Sequence, residues 1–177
     1  MTIDFTKNHF DLFYLPISFQ VDSAVLDAAY RDVQREVHPD KFTTASDAEK
    51  RLAAQWATRA NEAYQTLKSP LNRGRYFLKI HGVETEEESN TAMPLEFLMQ
   101  QMEWREAVVD ARASKDEAKL DELAVQKNAH EKALFTKLSG ELNQTSTLAD
   151  ARLTVRKLRF IEKLGEEIDD AFEAVSG

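Results

Sequence analysis

The sequence of 177 residues contains no cysteine. A chain without thiols forms no disulfide, no thiolate zinc site, no cysteine-ligated iron–sulfur cluster and no cysteine nucleophile. Proline and glycine are also scarce, with 4 and 5 residues against roughly 5% and 7% of average usage, while alanine, leucine, glutamate, glutamine and lysine are abundant. Because this composition favours helices over a β-sandwich or barrel, we predict an all-α protein.

Long apolar runs are missing as well. No run approaches the ~18 residues that a bilayer-spanning helix needs, and the N-terminus lacks the apolar core of a signal peptide. We therefore expect no membrane association and a cytoplasmic location. The net charge of −8 disfavours general attraction to nucleic acid.

The charge is unevenly distributed along the chain. Residues 1–80 hold 11 Lys+Arg and 10 Asp+Glu, whereas residues 81–177 hold 12 and 21. We expect the two halves to meet different partners. An acidic segment without apolar periodicity separates them, so we predict an N-terminal domain at 1–82, a linker at 83–93 and a C-terminal helical domain at 94–177.

Apolar spacing predicts the helices of the first domain. A short turn covers 8–13. A first long helix begins at Asp22 and ends before Pro39, and a loop then runs to about Ala45. A second long helix begins at Ser46 or Asp47 and ends at Pro70. The two should pair antiparallel, with a shorter helix over 73–80 packing across them. The stripes that we expect to be buried are Leu26, Tyr30, Val33 and Val37 on the first, and Leu52, Trp56, Ala60, Ala63 and Leu67 on the second.

The second domain is predicted to be an antiparallel bundle of three helices, at about 94–113, 115–138 and 147–175. Gly140 is expected to follow the end of the middle helix. The core stripe predicted for the last helix is Leu148, Ala151, Val155, Leu158 and Ile161. In the first of the three, four apolar residues lie between 0° and about 60° on a helical wheel, enough for a core stripe: Leu95, Leu98, Met102 and Val109.

The tripeptide His38-Pro39-Asp40 is the sharpest candidate for chemistry. For the tripeptide alone, a simple helix stop with a local turn is the favoured interpretation. A hydrolase could pair His38 with Asp40, but the sequence places no nucleophile beside them. A metal site is disfavoured because the other histidines share no ligand spacing with His38, and we interpret His9, His81 and His130 as surface or packing residues.

The tripeptide and its helical setting resemble a J domain, and the whole chain resembles the HscB family of iron–sulfur cluster co-chaperones. Five stretches carry this resemblance, and the last two lie outside the J domain: Phe13-Tyr14-Leu15-Pro16, His38-Pro39-Asp40-Lys41-Phe42, Asn61-Glu62-Ala63-Tyr64-Gln65-Thr66-Leu67, Phe97-Leu98-Met99 and Val155-Arg156-Lys157-Leu158-Arg159-Phe160. The resemblance implies an N-terminal J domain, built from an antiparallel helical hairpin plus short helices, followed by a C-terminal three-helix bundle.

For the first domain, the resemblance implies docking on a specialised heat-shock-70-class ATPase, HscA, whose hydrolysis it stimulates, so that the protein is not itself an enzyme. A loop stiffened by proline presents side chains at low ordering cost, and Asp40 is available to a partner's arginine. The expected chaperone-binding residues are His38, Pro39, Asp40, Arg31, Arg35 and Lys41. Asp27, Asp32 and Glu36 interrupt this basic face, which departs from the usual J-domain pattern.

For the second domain, the resemblance implies binding of the iron–sulfur scaffold IscU by Leu98, Met99, Met102, Glu103, Glu106 and Phe160. On periodicity alone, a core role for Met99 and solvated roles for Glu103 and Glu106 are favoured. No cofactor is expected, because any cluster would reside on the scaffold. The alternatives are a J-domain co-chaperone for a different client and a small His/Asp hydrolase.

Overall fold

The computed structural model describes residue 4, residues 6–87 and residues 92–176, and no strand occurs among them. The all-α prediction is confirmed. The chain divides into two compact units, Met1–Phe77 and Leu78–Gly177, called the N-terminal and C-terminal units below. Within the described part of the chain, no helix is long and apolar enough to span a membrane. The helices are α1 (His9–Leu12), α2 (Ser23–Glu36), α3 (Asp47–Lys68), α4 (Pro70–Ile80), α5 (Leu95–Ser114), α6 (Glu117–Leu142) and α7 (Leu148–Ser176), with 3-10 turns at Pro39–Phe42 and Thr145–Thr147.

The N-terminal unit is built on a hairpin of α2 and α3. The rings of Tyr30 and Tyr64 stack with centroids 4.1 Å apart. Asp27, nearly one turn before Tyr30, accepts hydrogen bonds from the Tyr64 hydroxyl at 3.0 Å and from the Lys68 ammonium at 2.6 Å. Contacts therefore advance along α2 as they recede along α3, which is the predicted antiparallel pairing.

Side-chain caps set where the two hairpin helices begin. The Asp22 carboxylate accepts from the backbone N–H groups of Ala24 and Val25, as the sequence predicts. At α3 the choice between two candidate caps falls on Ser46, whose hydroxyl accepts from the N–H of Glu49 while the Glu49 carboxylate accepts from the N–H of Ser46. This reciprocal pair fixes the chain direction immediately after the His-Pro-Asp turn.

Two expectations for the N-terminal unit are wrong. Leu52 is 41% exposed, and Ala53 takes the core position instead, because Ala53, Trp56, Ala60, Ala63 and Leu67 form the buried line. Pro70 opens α4 three residues before the predicted start rather than lying in a loop. A proline costs little in the first turn of a helix, where its missing N–H would have had no partner in the helix.

The C-terminal unit is a bundle of α5, α6 and α7. α5 and α7 run in the same direction, since Phe97 meets Phe160 with ring centroids 6.0 Å apart and Arg105 pairs with Glu167 at 2.9 Å. The predicted core stripe of α7 is fully buried. Part of the shared core consists of Val108, Ala111, Leu120, Leu123, Leu164, Ile168 and Ala171.

The middle helix is longer than predicted. α6 continues through Gly140 to Leu142, whose side chain is 4% exposed. Burying Leu142 stabilises the last turn by more than the roughly 1 kcal/mol that glycine costs in a helix. Gly140 is therefore an interior residue of α6.

The core stripe predicted for α5 is also wrong. Leu95, Met102 and Val109 are 72%, 62% and 64% exposed. The buried side of α5 is instead formed by Phe97, Gln101, Val108 and Ala111. α5 carries apolar residues on two faces, and the face with the large aromatic side chains is the one that packs in the bundle.

Candidate functional site

The His-Pro-Asp segment is an ordered turn between α2 and α3. His38 caps the 3-10 turn Pro39–Phe42, and its Nδ1 accepts from the backbone N–H of Asp40 at 3.3 Å. The N–H of Lys41 donates to the carbonyl of His38 at 3.0 Å. Hydrogen bonds within its own sequence therefore stabilise the turn.

The two polar side chains at the ends of the tripeptide are open to solvent. The side chain of His38 is 59% exposed and that of Asp40 is 88% exposed. Most of the Asp40 carboxylate surface is therefore available to a partner. The side chain of Pro39 lies outside the described part of the structure.

A groove of 740 Å³ gathers five of the six predicted chaperone-binding residues. Its described lining is Arg31, Gln34, Arg35, Val37, His38, Asp40, Lys41 and Ala57. No hydroxyl or thiol nucleophile occurs in this lining. The groove combines exposed charge with small apolar patches, as a protein-binding surface does.

The basic side chains of this groove are not equivalent. Arg35 pairs with Asp32 and also donates from Nε to the Arg31 carbonyl at 3.4 Å. Arg31 and Lys41 form no ion pair within the described chain. Arg31 and Lys41 are therefore the unpaired cations of the described groove lining, whereas Arg35 pairs with Asp32, one of the carboxylates that interrupt this helix face.

The predicted scaffold-binding residues lie on the side of α5 that faces away from the bundle. Met99 and Met102 are 53% and 62% exposed. Leu98 is half-buried, and Glu103 and Glu106 are exposed. The structure thus favours a surface role for Met99 and Met102 over the core role that periodicity alone suggests, and Glu103 and Glu106 are solvated as expected. We call this surface the outer face of α5.

Phe160 lies at the border between the outer face and the bundle. It is half-buried and meets Phe97 edge-to-face. Phe97 precedes Leu98 in the chain, so Phe160 contacts a residue next to the predicted α5 set. The predicted residue of α7 is therefore linked to those of α5 through Phe97.

A cluster beneath this border was not predicted as part of the site. His130 on α6 packs against Trp104 and Phe97, at centroid distances of 5.3 and 6.3 Å. The Lys157 Nζ lies 5.3 Å from the centre of the Phe97 ring. Burial and the Lys157 charge lower the pKa of His130. Phe97 and Trp104 are seven residues apart and therefore lie on the same side of α5. This spacing is the feature of the sequence from which the cluster could have been predicted.

The described residues contain no group of three or more histidines, aspartates and glutamates that could hold a metal ion. His9 stacks on Tyr76 with ring centroids 4.1 Å apart, and His130 is packed in the cluster beneath the outer face. Both are packing residues of the kind expected from the sequence.

Comparison with known proteins connects both units to one family. Residues 93–169 match the family model for the HSCB C-terminal oligomerisation domain. The chain is 50% identical over 168 residues to the co-chaperone protein HscB homolog of Ralstonia nicotianae, covering 95% of this chain and 96% of the relative. The corresponding protein of Paraburkholderia phymatum is 52% identical over 166 residues, with 94% of each chain covered.

Solved structures give the same result. Chaperone HscB from Vibrio cholerae superposes with a TM-score of 0.84 at 38% identity, covering 96% of this chain and 99% of that one. Human co-chaperone protein HscB gives a TM-score of 0.88 at 34% identity, with 94% and 83% covered. With about half of its residues identical to those of curated relatives along almost the entire sequence, the chain belongs to the HscB family of co-chaperones.

Proposed function

We propose that this protein stimulates the ATPase of a heat-shock-70-class chaperone, HscA, and delivers the iron–sulfur scaffold IscU to it in the cytoplasm. It hydrolyses no ATP itself and supports cluster transfer and the maturation of iron–sulfur proteins. In this proposal residues 1–82 act as the J domain, 83–93 as an acidic linker and 94–177 as the scaffold-binding bundle. The cluster is cargo carried by the scaffold, so the co-chaperone needs no cofactor.

One observation carries the chaperone half of the proposal: the turn that exposes His38 and Asp40 is already ordered, and Arg31, Arg35 and Lys41 line the same groove. A preformed turn loses little conformational entropy on binding. The free Asp40 carboxylate offers a charge-assisted hydrogen bond to an arginine of the ATPase, and Arg31 and Lys41 attract acidic groups around it. Pro39 restricts the backbone between the two recognition residues.

The outer face of α5 supports the scaffold half. Leu98, Met99 and Met102 supply apolar contact area, and the flexible thioethers adapt to an uneven partner surface. Glu103 and Glu106 supply charge beside that area, and Phe160 supplies an aromatic anchor on α7. These chemical types fit a partner surface that is apolar with basic residues next to it.

Carrying both sites on one chain gives the co-chaperone its function. A scaffold bound to the C-terminal unit is confined near an ATPase bound to the N-terminal unit, which raises their effective concentration without any new contact. ATP hydrolysis stimulated at the first site then drives capture of the scaffold by the ATPase.

Two other functions are less well supported. A J-domain co-chaperone for a different client would use the same turn with another partner at α5, and the match of the C-terminal residues to the HscB family disfavours it. A hydrolase built on His38 and Asp40 lacks a hydroxyl or thiol nucleophile in the groove.

Asp40→Asn tests the proposal. Replacing the carboxylate removes a charge-assisted hydrogen bond of about 1.5–3 kcal/mol, so stimulation of single-turnover ATP hydrolysis by HscA, with IscU present, should fall by roughly 10- to 100-fold. Asp47→Asn is the matched control, because Asp47 is an exposed aspartate outside the groove. Normal stimulation by a folded Asp40→Asn protein would contradict the mechanism.

A further inference from the structure

α5 exposes two large apolar side chains that the proposed scaffold site does not include. Leu95, in the first turn, is 72% exposed, and Val109, near the other end, is 64% exposed. Among the described residues of the C-terminal unit, five large apolar side chains are strongly exposed, and four of them are on α5: Leu95, Met99, Met102 and Val109, with Val125 on α6 as the fifth. Exposed apolar surface concentrated on one helix indicates a binding surface.

These four residues form one line along the helix. At 100° per residue, with Leu98 at zero, Val109 falls at about 20°, Met102 at about 40°, Leu95 at about 60° and Met99 at about 100°. The buried side chains fall elsewhere, with Phe97 at about 260° and Val108 at about 280°. At 1.5 Å per residue, the line from Leu95 to Val109 is about 21 Å long. We call it the outer stripe.

One carboxylate lies within the outer stripe and two lie just beyond its Met99 edge. Glu106, Asp110 and Glu103 fall at about 80°, 120° and 140° on the same wheel, and all three are exposed. Within the described chain none of these carboxylates forms an ion pair. The stripe therefore fits an apolar ridge that carries basic side chains along one side.

The charge argues against a second copy of this chain as the occupant. Two outer stripes in contact would bring Glu103, Glu106 and Asp110 of one copy close to the same carboxylates of the other, in chains that each carry a net charge of −8. A scaffold with basic residues beside an apolar ridge meets no such repulsion.

We propose that Leu95 and Val109 extend the scaffold contact to the full length of the outer stripe and select a partner ridge about 21 Å long. The inference rests on the proposed function, since it takes IscU as the occupant. Leu95 contacts the ridge one turn before Met99, and Val109 contacts it nearly two turns beyond Met102. A scaffold whose ridge ends at Met102 would gain nothing from Val109.

Alanine substitutions at the two ends of the stripe test the inference. Calorimetric titration with IscU should give an affinity reduced by about 15-fold for Val109→Ala and by about 60-fold for Leu95→Ala, the loss expected for two and three buried carbon groups. Val125→Ala is the matched control, because Val125 is 67% exposed on the neighbouring helix. It should bind as tightly as the unsubstituted protein. All three positions are exposed, so circular dichroism and melting temperature should stay unchanged.

The outcomes separate this inference from the proposed function. If Met99→Ala weakens binding while Leu95→Ala and Val109→Ala behave like Val125→Ala, the extended contact is wrong and the proposed function stands. If the unsubstituted protein binds no IscU, the proposed function fails, and the inference fails with it. If sedimentation shows that Val109→Ala abolishes self-association without changing IscU affinity, the occupant is a second copy and the inference is overturned.

Discussion

At the residue scale, the turn that carries His38 and Asp40 is specified by its own sequence. His38 bonds to the N–H of Asp40, and Ser46 and Glu49 cap the following helix reciprocally. Because these partners lie within three residues of one another, a sequence motif is enough to predict them. The pairing of Arg35 with Asp32 is equally local and explains why only part of the predicted basic face is open.

His130 shows what a sequence does not reveal at this scale. Nothing local predicts that an imidazole on α6 will pack against Trp104 and Phe97 of α5. Only the folded bundle brings these rings together, and only burial beside Lys157 lowers the pKa of His130 below its ordinary value of 6.5. The sequence predicts a packing residue without naming its neighbours.

This lowered pKa predicts a pH dependence of stability. Between the ordinary value of 6.5 and the lower folded value, the unfolded chain binds a proton that the folded chain does not. The unfolding free energy should therefore fall as the pH drops through this window and level off below it. Urea unfolding from pH 8 to pH 5 measures the effect, and His130→Phe should remove it. An unchanged pH dependence in His130→Phe would contradict the assignment.

At the element scale, α5 and α7 differ in how well the sequence predicts their packing. Leu148, Val155 and Ile161 mark one apolar line on α7, and that line is buried. α5 has two apolar lines, and spacing alone gives no reason to prefer Phe97 and Val108 over Leu95 and Val109. The difference is three-dimensional, because the bundle needs the large rings of α5 to fill the space beside α6.

Gly82, just after α4, and Gly140, inside α6, provide a matched stability test. Gly82 follows α4 with φ of +74°, whereas Gly140 lies inside α6, and a Cβ at either position would meet no atom within 4 Å. Gly140→Ala should raise the unfolding free energy by about 0.5 kcal/mol through helix propensity. Gly82→Ala should lower it by about 1 kcal/mol, because alanine is strained in the left-handed region.

Chemical denaturation of the two variants measures both effects. Since neither added methyl group contacts a neighbour, packing does not confound the comparison. A Gly82→Ala protein as stable as Gly140→Ala would show that the backbone after α4 relaxes away from its left-handed conformation.

At the scale of the whole molecule, the charge split along the sequence corresponds to two proposed sites with different chemistry. The groove of the N-terminal unit has Arg31 and Lys41 beside its recognition turn. The outer face of the C-terminal unit has Glu103 and Glu106 beside its methionines. The sequence predicts the two units and the residues of both sites through family resemblance, whereas the extent of the second surface depends on knowing which side of α5 is buried.

Two sites on two units predict separable defects. Met99→Ala and Phe160→Ala should each weaken IscU binding by at least ~1 kcal/mol, the loss expected for an interface anchor. Stimulation of HscA in the absence of scaffold should remain. Asp40→Asn should lose stimulation while binding IscU with unchanged affinity. Calorimetry measures IscU binding, and single-turnover hydrolysis measures stimulation of HscA. A variant that impaired both IscU binding and scaffold-independent stimulation would contradict the independence of the two sites.

The two apolar faces of α5 have separate roles, which matters for protein design. Phe97 and Val108 are buried in the bundle, whereas most of the surface of Leu95, Met102 and Val109 is exposed to solvent. A new client could therefore be recruited by rewriting the outward positions alone, leaving the bundle intact. In α5, partner specificity can therefore change at the outward positions while the buried positions keep the fold.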